Sequence, residues 1–249
     1  MSEHTPSIPA EVYFFGTCLI DVFYPDAGIS AIELIEREGI KVIFPPQQTC
    51  CGQPPYNSGY NDEAIEVAAA QIALFTRPIP VVVPSASCAA MMKHHYPRLL
   101  EGHPLHAQAL NLANRIYEFS EFLSNTVNIT LQDKGPPIKI VLHQSCSARR
   151  EMQVTTQTMQ LLHQLENVEI CEPERASECC GFGGTFAIKQ PEISAAMGKD
   201  KCDAIKKTGV LNLISGDCGC LMHLSGMMAK DNAPIRSEHI ASLLWRRTR

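Results

Sequence analysis

The sequence predicts an α/β protein of two pseudo-repeated domains, 1–130 and 131–249, each a small parallel sheet flanked by helices, with cysteines at the carboxyl ends of the strands. Three observations lead there. Strand-like and helix-like segments alternate along the chain, as they do in parallel sheets built with crossover helices. The doublet Cys50-Cys51-Gly52 returns 129 positions later as Cys179-Cys180-Gly181. The other repeated cysteines keep nearly that spacing: Cys18 to Cys146 is 128, and Cys88 to Cys218 or Cys220 is 130 or 132. A near-constant offset at three positions marks an internal duplication. In open parallel sheets, ligands bind beyond the carboxyl ends of the strands, which is where every repeated cysteine falls.

In the first half, the β-prone run Val12 to Cys18 reads as a strand. Ile29, Ile32, Leu34 and Ile35 then recur near helical spacing, so a helix is expected from Ala27 to Glu38, stopped by Gly39. Lys41 to Pro45 reads as the second strand and leads into the first doublet. Asn61 is suited to cap a helix from Asp62 to about Phe75, with its acidic residues in the first turn. Ile79 to Pro84 is apolar on both sides and reads as a buried third strand ending near Cys88. Helical segments follow from Ala89 to Leu100, interrupted near Pro97, and from Leu105 to Leu123.

The polar stretch from Asn125 to Pro137, with Gly135-Pro136-Pro137 as a breaker, reads as a linker. Beyond it the pattern restarts: strand Ile138 to His143, helix Arg149 to Glu166, strand Val168 to Cys171, helix Pro191 to Lys207, strand Val210 to Ile214, and a closing helix near His239 to Trp245.

With 249 residues, 45% of them hydrophobic, the chain has enough apolar surface for a true core. A formal net charge of −5 argues against a nucleic-acid partner. Met1 to Glu11 has no basic and apolar run of a secretory leader, and no 18-residue uncharged apolar run offers a membrane span. A cytoplasmic setting is expected, where thiols stay reduced and serve metal or redox chemistry; the odd count of 11 cysteines agrees.

Adjacent cysteines suit a bound metal group better than a disulfide. A trans peptide holds their Cα atoms about 3.8 Å apart, short of the usual disulfide range of about 4.4–6.8 Å, and the following glycine lets the backbone turn closely around a ligand. By count, each half supplies four thiols: Cys18, Cys50, Cys51 and Cys88 in the first; Cys146, Cys179, Cys180 and one or both of Cys218 and Cys220 in the second. Four thiolates hold either zinc or an iron-sulfur cluster, and softness alone does not choose between them.

The strings Phe14 to Cys18, Cys50-Cys51-Gly52-Gln53-Pro54, Pro84 to Cys88, His143-Gln144-Ser145-Cys146, Cys179 to Phe186 and Gly219-Cys220-Leu221-Met222 together resemble the CCG-domain (cysteine-rich domain) iron-sulfur proteins. These include the B subunit of heterodisulfide reductase and the iron-sulfur subunit of glycolate oxidase, and the likeness is strongest to their lactate-utilisation branch. The resemblance implies an oxidoreductase subunit of a multi-protein system that oxidises L-lactate to pyruvate. Electrons would pass through a cysteine-bound [4Fe-4S] cluster, in some relatives a non-cubane one, and the partners would include a second iron-sulfur protein. The family pattern ends in CxxC, whereas Cys88 is followed by Ala89, Ala90 and Met91, and the second half offers Cys218-Gly219-Cys220. The Gly-Cys-Leu-Met likeness favours Cys220, making Cys146, Cys179, Cys180 and Cys220 the strongest set, although the offset slightly favours Cys218. With its extra glycines and this additional thiol, the second half is expected to hold its cluster more robustly than the first.

Two other readings stay open: a zinc-stabilised scaffold without redox function, and a disulfide reductase-type subunit, against which stands the absence of a CxxC pair opening a helix. Cys171 and Cys202 have no counterpart in the other half and read as small hydrophobes. His143, three residues before Cys146, is placed to donate a hydrogen bond to a cluster or to be satisfied by backbone at the domain seam. His94, His95 and His223 follow the late cysteines on helices, and Arg149 and Arg150 read as a solvated pair.

Overall fold

Eight short strands form two sheets of four, and every pairing between them is parallel. The structure, a computed structural model, describes residues 8–233 and 235–249; residues 1–7, part of the stretch Met1 to Glu11 on which the expectation about a leader rests, lie outside the described residues. In the first sheet, β1 (Glu11–Phe14), β2 (Lys41–Ile43), β3 (Val81–Val83) and β4 (Ile116–Glu118) stand in the order β2-β1-β3-β4. In the second, β5 (Ile138–His143), β6 (Val168–Ile170), β7 (Asn212–Ser215) and β8 (Arg236–His239) stand in the order β6-β5-β7-β8. The order reverses between β1 and β3, and between β5 and β7. The carboxyl ends at such a switch point diverge and leave a crevice for a ligand.

The central strands β1, β3 and β7 are buried on both faces over most of their length, whereas the edge strands β2, β6 and β8 are partly exposed. Val12 and Phe14 of β1 face a core shared by the two halves, while Tyr13 and Phe15 face the outer core of the first half, against which Met152 of the second also packs. Ile140 and Ile214 join the shared core, and Val141 and Leu213 face the core of the second half. Cys51 belongs to the first outer core, and Cys180 and Cys220 to the second.

The halves interlock. Helix Ile240–Thr248, which closes the second half, packs on helix Pro25–Arg37 of the first. Arg37 Nη1 donates to Thr248 Oγ1 at 2.9 Å and stacks over Trp245. Symmetrically, the helical stretch that closes the first half (Phe119–Glu121 and the π-helical turn Phe122–Val127) packs on helix Thr155–His163 of the second. The segment read as a polar linker is part of this joint: Val127, Ile129 and Leu131 are buried in the shared core. Asp133 forms a two-pronged pair with Arg247 at 2.8 Å, both side chains closed off from water just beneath the surface. Polar and apolar residues alternate along the stretch, so composition hides an ordered strap.

Several expected elements differ in extent, for physical reasons. The helix expected over 105–123 is helix His106–Ala113, then β4, then the closing helical stretch. Ile116, Phe119 and Leu123 mimic helical spacing, but Ile116 and Tyr117 pair with Val81 and Val82 of β3, a distant partner that a local pattern does not reveal. The edge strand β8 is missed for the opposite reason: Arg-Ser-Glu-His carries no apolar signal and is a strand because it pairs with β7. The interruption expected at Pro97 is absorbed by the π-helical turn Met91–His95, whose wider spacing accommodates the missing donor ahead of helix Tyr96–Leu99. The helix expected from Arg149 to Glu166 is split: a π-helical turn Ser147–Glu151 ends at Gln153, whose φ is 55°, before helix Thr155–His163 begins. Among the described residues, no helix is long and apolar enough to cross a membrane.

Candidate metal centre

The repeated cysteines are not strand residues but open the segments that leave the strands. Cys18 begins helix Cys18–Phe23, Cys88 lies in helix Ala86–Ala90, Cys146 precedes the turn Ser147–Glu151, and Cys218 and Cys220 lie in the first turn of helix Cys218–Lys230. All therefore stand at the carboxyl edges of the two sheets. Strand register decides which late cysteine is the counterpart of Cys88. Tyr13 pairs with Val81 in the first sheet and Val141 with Leu213 in the second, so β3 and β7 are related by 132 positions. That makes Cys220 the counterpart of Cys88 and Cys218 the counterpart of Ala86.

In the first half the thiols are coupled in a chain: Cys50 with Cys18 and Cys51, and Cys51 with Cys88. The second repeats it: Cys179 with Cys146 and Cys180, and Cys180 with Cys220, whose sulfurs are 3.0 Å apart. All eleven cysteines are free thiols. Within each chain the first thiol of the doublet is the one held low. Donation from Cys18 and Cys51 holds Cys50 well below the usual thiol range, and donation from Cys146 and Cys180 does so for Cys179. The donors Cys18, Cys51, Cys146 and Cys180 are pushed up in turn.

The glycine after each doublet is required by its backbone. Gly52 and Gly181 have φ of 83° and 88°, and each donates its N–H back to the first sulfur of its doublet, at 3.5 and 3.4 Å. A Cβ on Gly181 would sit 2.6 Å from the Ser194 carbonyl, so no other residue fits there. Phe182 N–H adds a contact to Cys180 Sγ at 3.5 Å. Such N–H donors favour the charged form of the sulfur they face.

The doublet loops are anchored from outside. Gln48 Oε1 accepts from Gly16 N–H at 2.7 Å, and Tyr96 Oη donates to the Cys51 carbonyl at 2.9 Å. In the second half, Arg149 donates to the Ser177 carbonyl and buried Lys201 to the Ala176 carbonyl at 2.7 Å, which holds the approach to Cys179. Arg149, read from sequence as a solvated residue, is thus a loop anchor.

Sequence reasoning missed the group that joins the two sets. Asp217, 3% exposed, accepts at Oδ1 from Ser85 Oγ (2.6 Å), Ser87 N–H (3.1 Å) and Ser87 Oγ (2.7 Å), and at Oδ2 from Ser145 Oγ. Ser87 precedes Cys88, Ser145 precedes Cys146, and Asp217 precedes Cys218, so one carboxylate ties three cysteine-bearing loops from both halves. Ser85 and Asp217 are themselves counterparts at the same 132-position offset, paired across the seam. That offset was the available signal, but a short Ser-to-Asp correspondence carries no meaning until the seam is folded.

Of the remaining cysteines, Cys218 is buried and pushed up by burial, by Asp217 and by both Cys88 and Cys220, so it sits between the sets and outside both thiol chains. Cys202 is buried, its thiol pushed up to about 11, and approaches only the Leu224 carbonyl, at 3.7 Å. Cys171 lies just past β6, beside Glu169. His95 pairs with Glu151 at 3.0 Å across the seam. His143 differs from these: it is 1% exposed, neither ring nitrogen has a hydrogen-bond partner, and burial pushes it down to about 4, so the ring is neutral.

Glu118, at the end of β4, lies beside the Asp217 network and is pushed up to about 8 by burial, against the opposing pull of the Glu121 and Ser120 N–H groups it caps. The folded chain keeps this proton up to about pH 8, whereas an unfolded glutamate releases it near 4.5. Its contribution to stability is therefore full below about pH 4.5 and is lost as the pH rises to about 8. Glu118→Gln keeps a capping oxygen without the charge, so its stability relative to the native chain should improve steadily between those values. Thermal melts from pH 5 to 9 check this; a constant difference across the range would refute it.

Comparison with known proteins places these features in context. The cysteine-rich domain family (CCG) matches residues 12–93 and 140–225, the two halves separately. The chain is 42% identical over 235 residues to lactate utilization protein A of Halalkalibacterium halodurans, covering 94% of this chain and 96% of that one. It is 39% identical to lactate utilization protein A 2 of Bacillus cereus, covering 94% and 97%. A crystal structure of a hypothetical protein from Helicobacter pylori shares the fold, with a TM-score of 0.63 at 12% identity, over 98% of this chain and 50% of that one.

Proposed function

Since the chain belongs to the cysteine-rich domain family, and within it to the lactate utilization protein A family, we propose that it is an iron-sulfur electron-transfer subunit of a system that oxidises L-lactate to pyruvate. The observation that carries this reading is the pair of matching four-thiol chains, each gathered from three loops at a switch point of its sheet.

Cys18, Cys50, Cys51 and Cys88 would hold one group, and Cys146, Cys179, Cys180 and Cys220 the other, in lobes 1–130 and 131–249. The donor sets fit a cluster: soft sulfur ligands, a first thiol in each doublet held below the usual thiol range, and N–H groups aimed at the sulfurs. Bound iron-sulfur clusters, of the [4Fe-4S] type, supply one-electron redox chemistry at potentials set by charge, hydrogen bonding and burial. The chain's part is to hold the thiolates, to tune them through the N–H groups of Gly52, Gly181 and Phe182, and to keep water out with the two outer cores. Lactate oxidation releases two electrons, which suits two such sites in one chain. The oxidation of substrate itself falls to the assembled system in the cytoplasm, with a second iron-sulfur protein among the partners.

Purification without oxygen, assay of iron, zinc and acid-labile sulfide, and absorption before and after dithionite test this. Iron with matching sulfide and a bleached spectrum are expected. Stoichiometric zinc with neither iron nor sulfide would overturn the proposal in favour of a zinc-stabilised scaffold, and metal-free protein with thiols that turn over would favour a disulfide reductase.

A further inference from the structure

We propose that His143 is a ligand in the second site, so that the second half holds a mixed thiolate-imidazole centre while the first is all-thiolate. The inference rests on the metal-binding part of the function proposed above and goes beyond it.

His143 is the last residue of β5, paired in register with Ser215 of β7, and so lies at the switch point itself. One of its ring nitrogens and the sulfurs of Cys180 and Cys220 lie within 4.8 Å of one another, all three residues buried. That is close to the span of two bonds of about 2.0–2.3 Å to a shared ion. Buried polar groups are nearly always hydrogen-bonded, and an orphan calls for an explanation such as an absent ion. A histidine with both nitrogens free of partners, facing two thiols, is explained by a metal that the three share.

The two halves differ at this position. The offset of 128 that relates β1 to β5 puts Phe15 where the second half has His143, and Phe15 is wholly buried in its core. The first half therefore has no nitrogen donor there. His223 is the natural rival, since its Nε2 is also without a partner. It lies against Phe182 and Gly198 and outside the 4.8 Å group, so it serves as the control.

The test uses the protein purified without oxygen and reduced with dithionite. Pulsed electron paramagnetic resonance is recorded on unlabelled protein, on protein made with ¹⁵N-histidine, and on His143→Phe and His223→Phe. The expected result is a strong nitrogen coupling, of the size given by direct ligation, that changes with the label, is lost in His143→Phe and persists in His223→Phe. A cluster signal with only weak nitrogen couplings, or a strong one that survives in His143→Phe, would overturn the inference while leaving the iron-sulfur reading intact. The unmutated, labelled protein decides the question even if the phenylalanine variant fails to fold. If the metal is zinc, zinc-edge X-ray absorption takes its place: a nitrogen in the ligand shell supports His143, and sulfur alone refutes it. Protein that binds neither metal would remove both proposals.

Discussion

Replacing Cys180 with serine should empty the second site, whereas replacing Cys202 with serine should leave it full. Both cysteines are buried in the same outer core and differ by one atom from serine, so burial alone predicts the same response. Their contacts differ. Cys180 stands in the middle of the thiol chain, bonded to Cys179 on one side and 3.0 Å from Cys220 on the other, with the Phe182 N–H aimed at its sulfur. A serine hydroxyl is a hard donor that stays protonated and does not replace a thiolate. Cys202 meets only the Leu224 carbonyl. Iron and sulfide per chain should fall by the share of one site in Cys180→Ser and in Cys179→Ser, and stay at the native level in Cys202→Ser. Full iron in either doublet variant would sink the ligand assignment.

Asp217→Ala should be the most damaging substitution outside the cysteines. It strips a common acceptor from three serine hydroxyls and the Ser87 N–H in a site sealed from water. Ser85 and Ser87, 3.0 Å apart, retain a partial alternative in each other, whereas Ser145 accepts from Ala148 N–H and loses the acceptor for its own O–H. The Ser87 N–H has no such freedom. Each buried donor left without an acceptor costs about 1–3 kcal/mol, so the loss should amount to several kcal/mol, to be read from urea unfolding of the anaerobically purified protein. Because the network spans the seam, both sites should lose metal together, unlike the one-site loss in Cys180→Ser. Asp217→Asn keeps the acceptor for Ser87 N–H and should fall between. A stability within about 0.5 kcal/mol of the native chain, the usual range for a neutral surface change, would show that the serines do not depend on this carboxylate.

The candidate site was far more legible in the sequence than the helix and strand boundaries around it. Adjacent thiols followed by glycine state their requirement locally, and a duplication repeats the statement at a fixed offset. Cys18, a lone cysteine, gained meaning only through Cys146. For the late thiol the two signals in the sequence disagreed: the Gly-Cys-Leu-Met string favoured Cys220 and the offset Cys218, because an insertion between the second and third strands shifts the offset from 128 to 132, which the pairing of β5 with β7 reveals. The fourth strand of each sheet was hidden as well, since β4 carries a helical spacing and β8 is polar.

The sequence by itself determined the duplicated α/β class, the parallel sheets and the two thiol sets, because each depends on short-range pattern and on spacing along the chain. The tertiary structure alone decided how the halves interlock, that Cys220 stands in register with Cys88, and that Asp217 binds three loops across the seam. It also decided that His143 faces two thiols instead of the backbone. Each of these depends on which distant residues share a sealed, water-free space, where a single unpaired polar group weighs as much as a whole local preference.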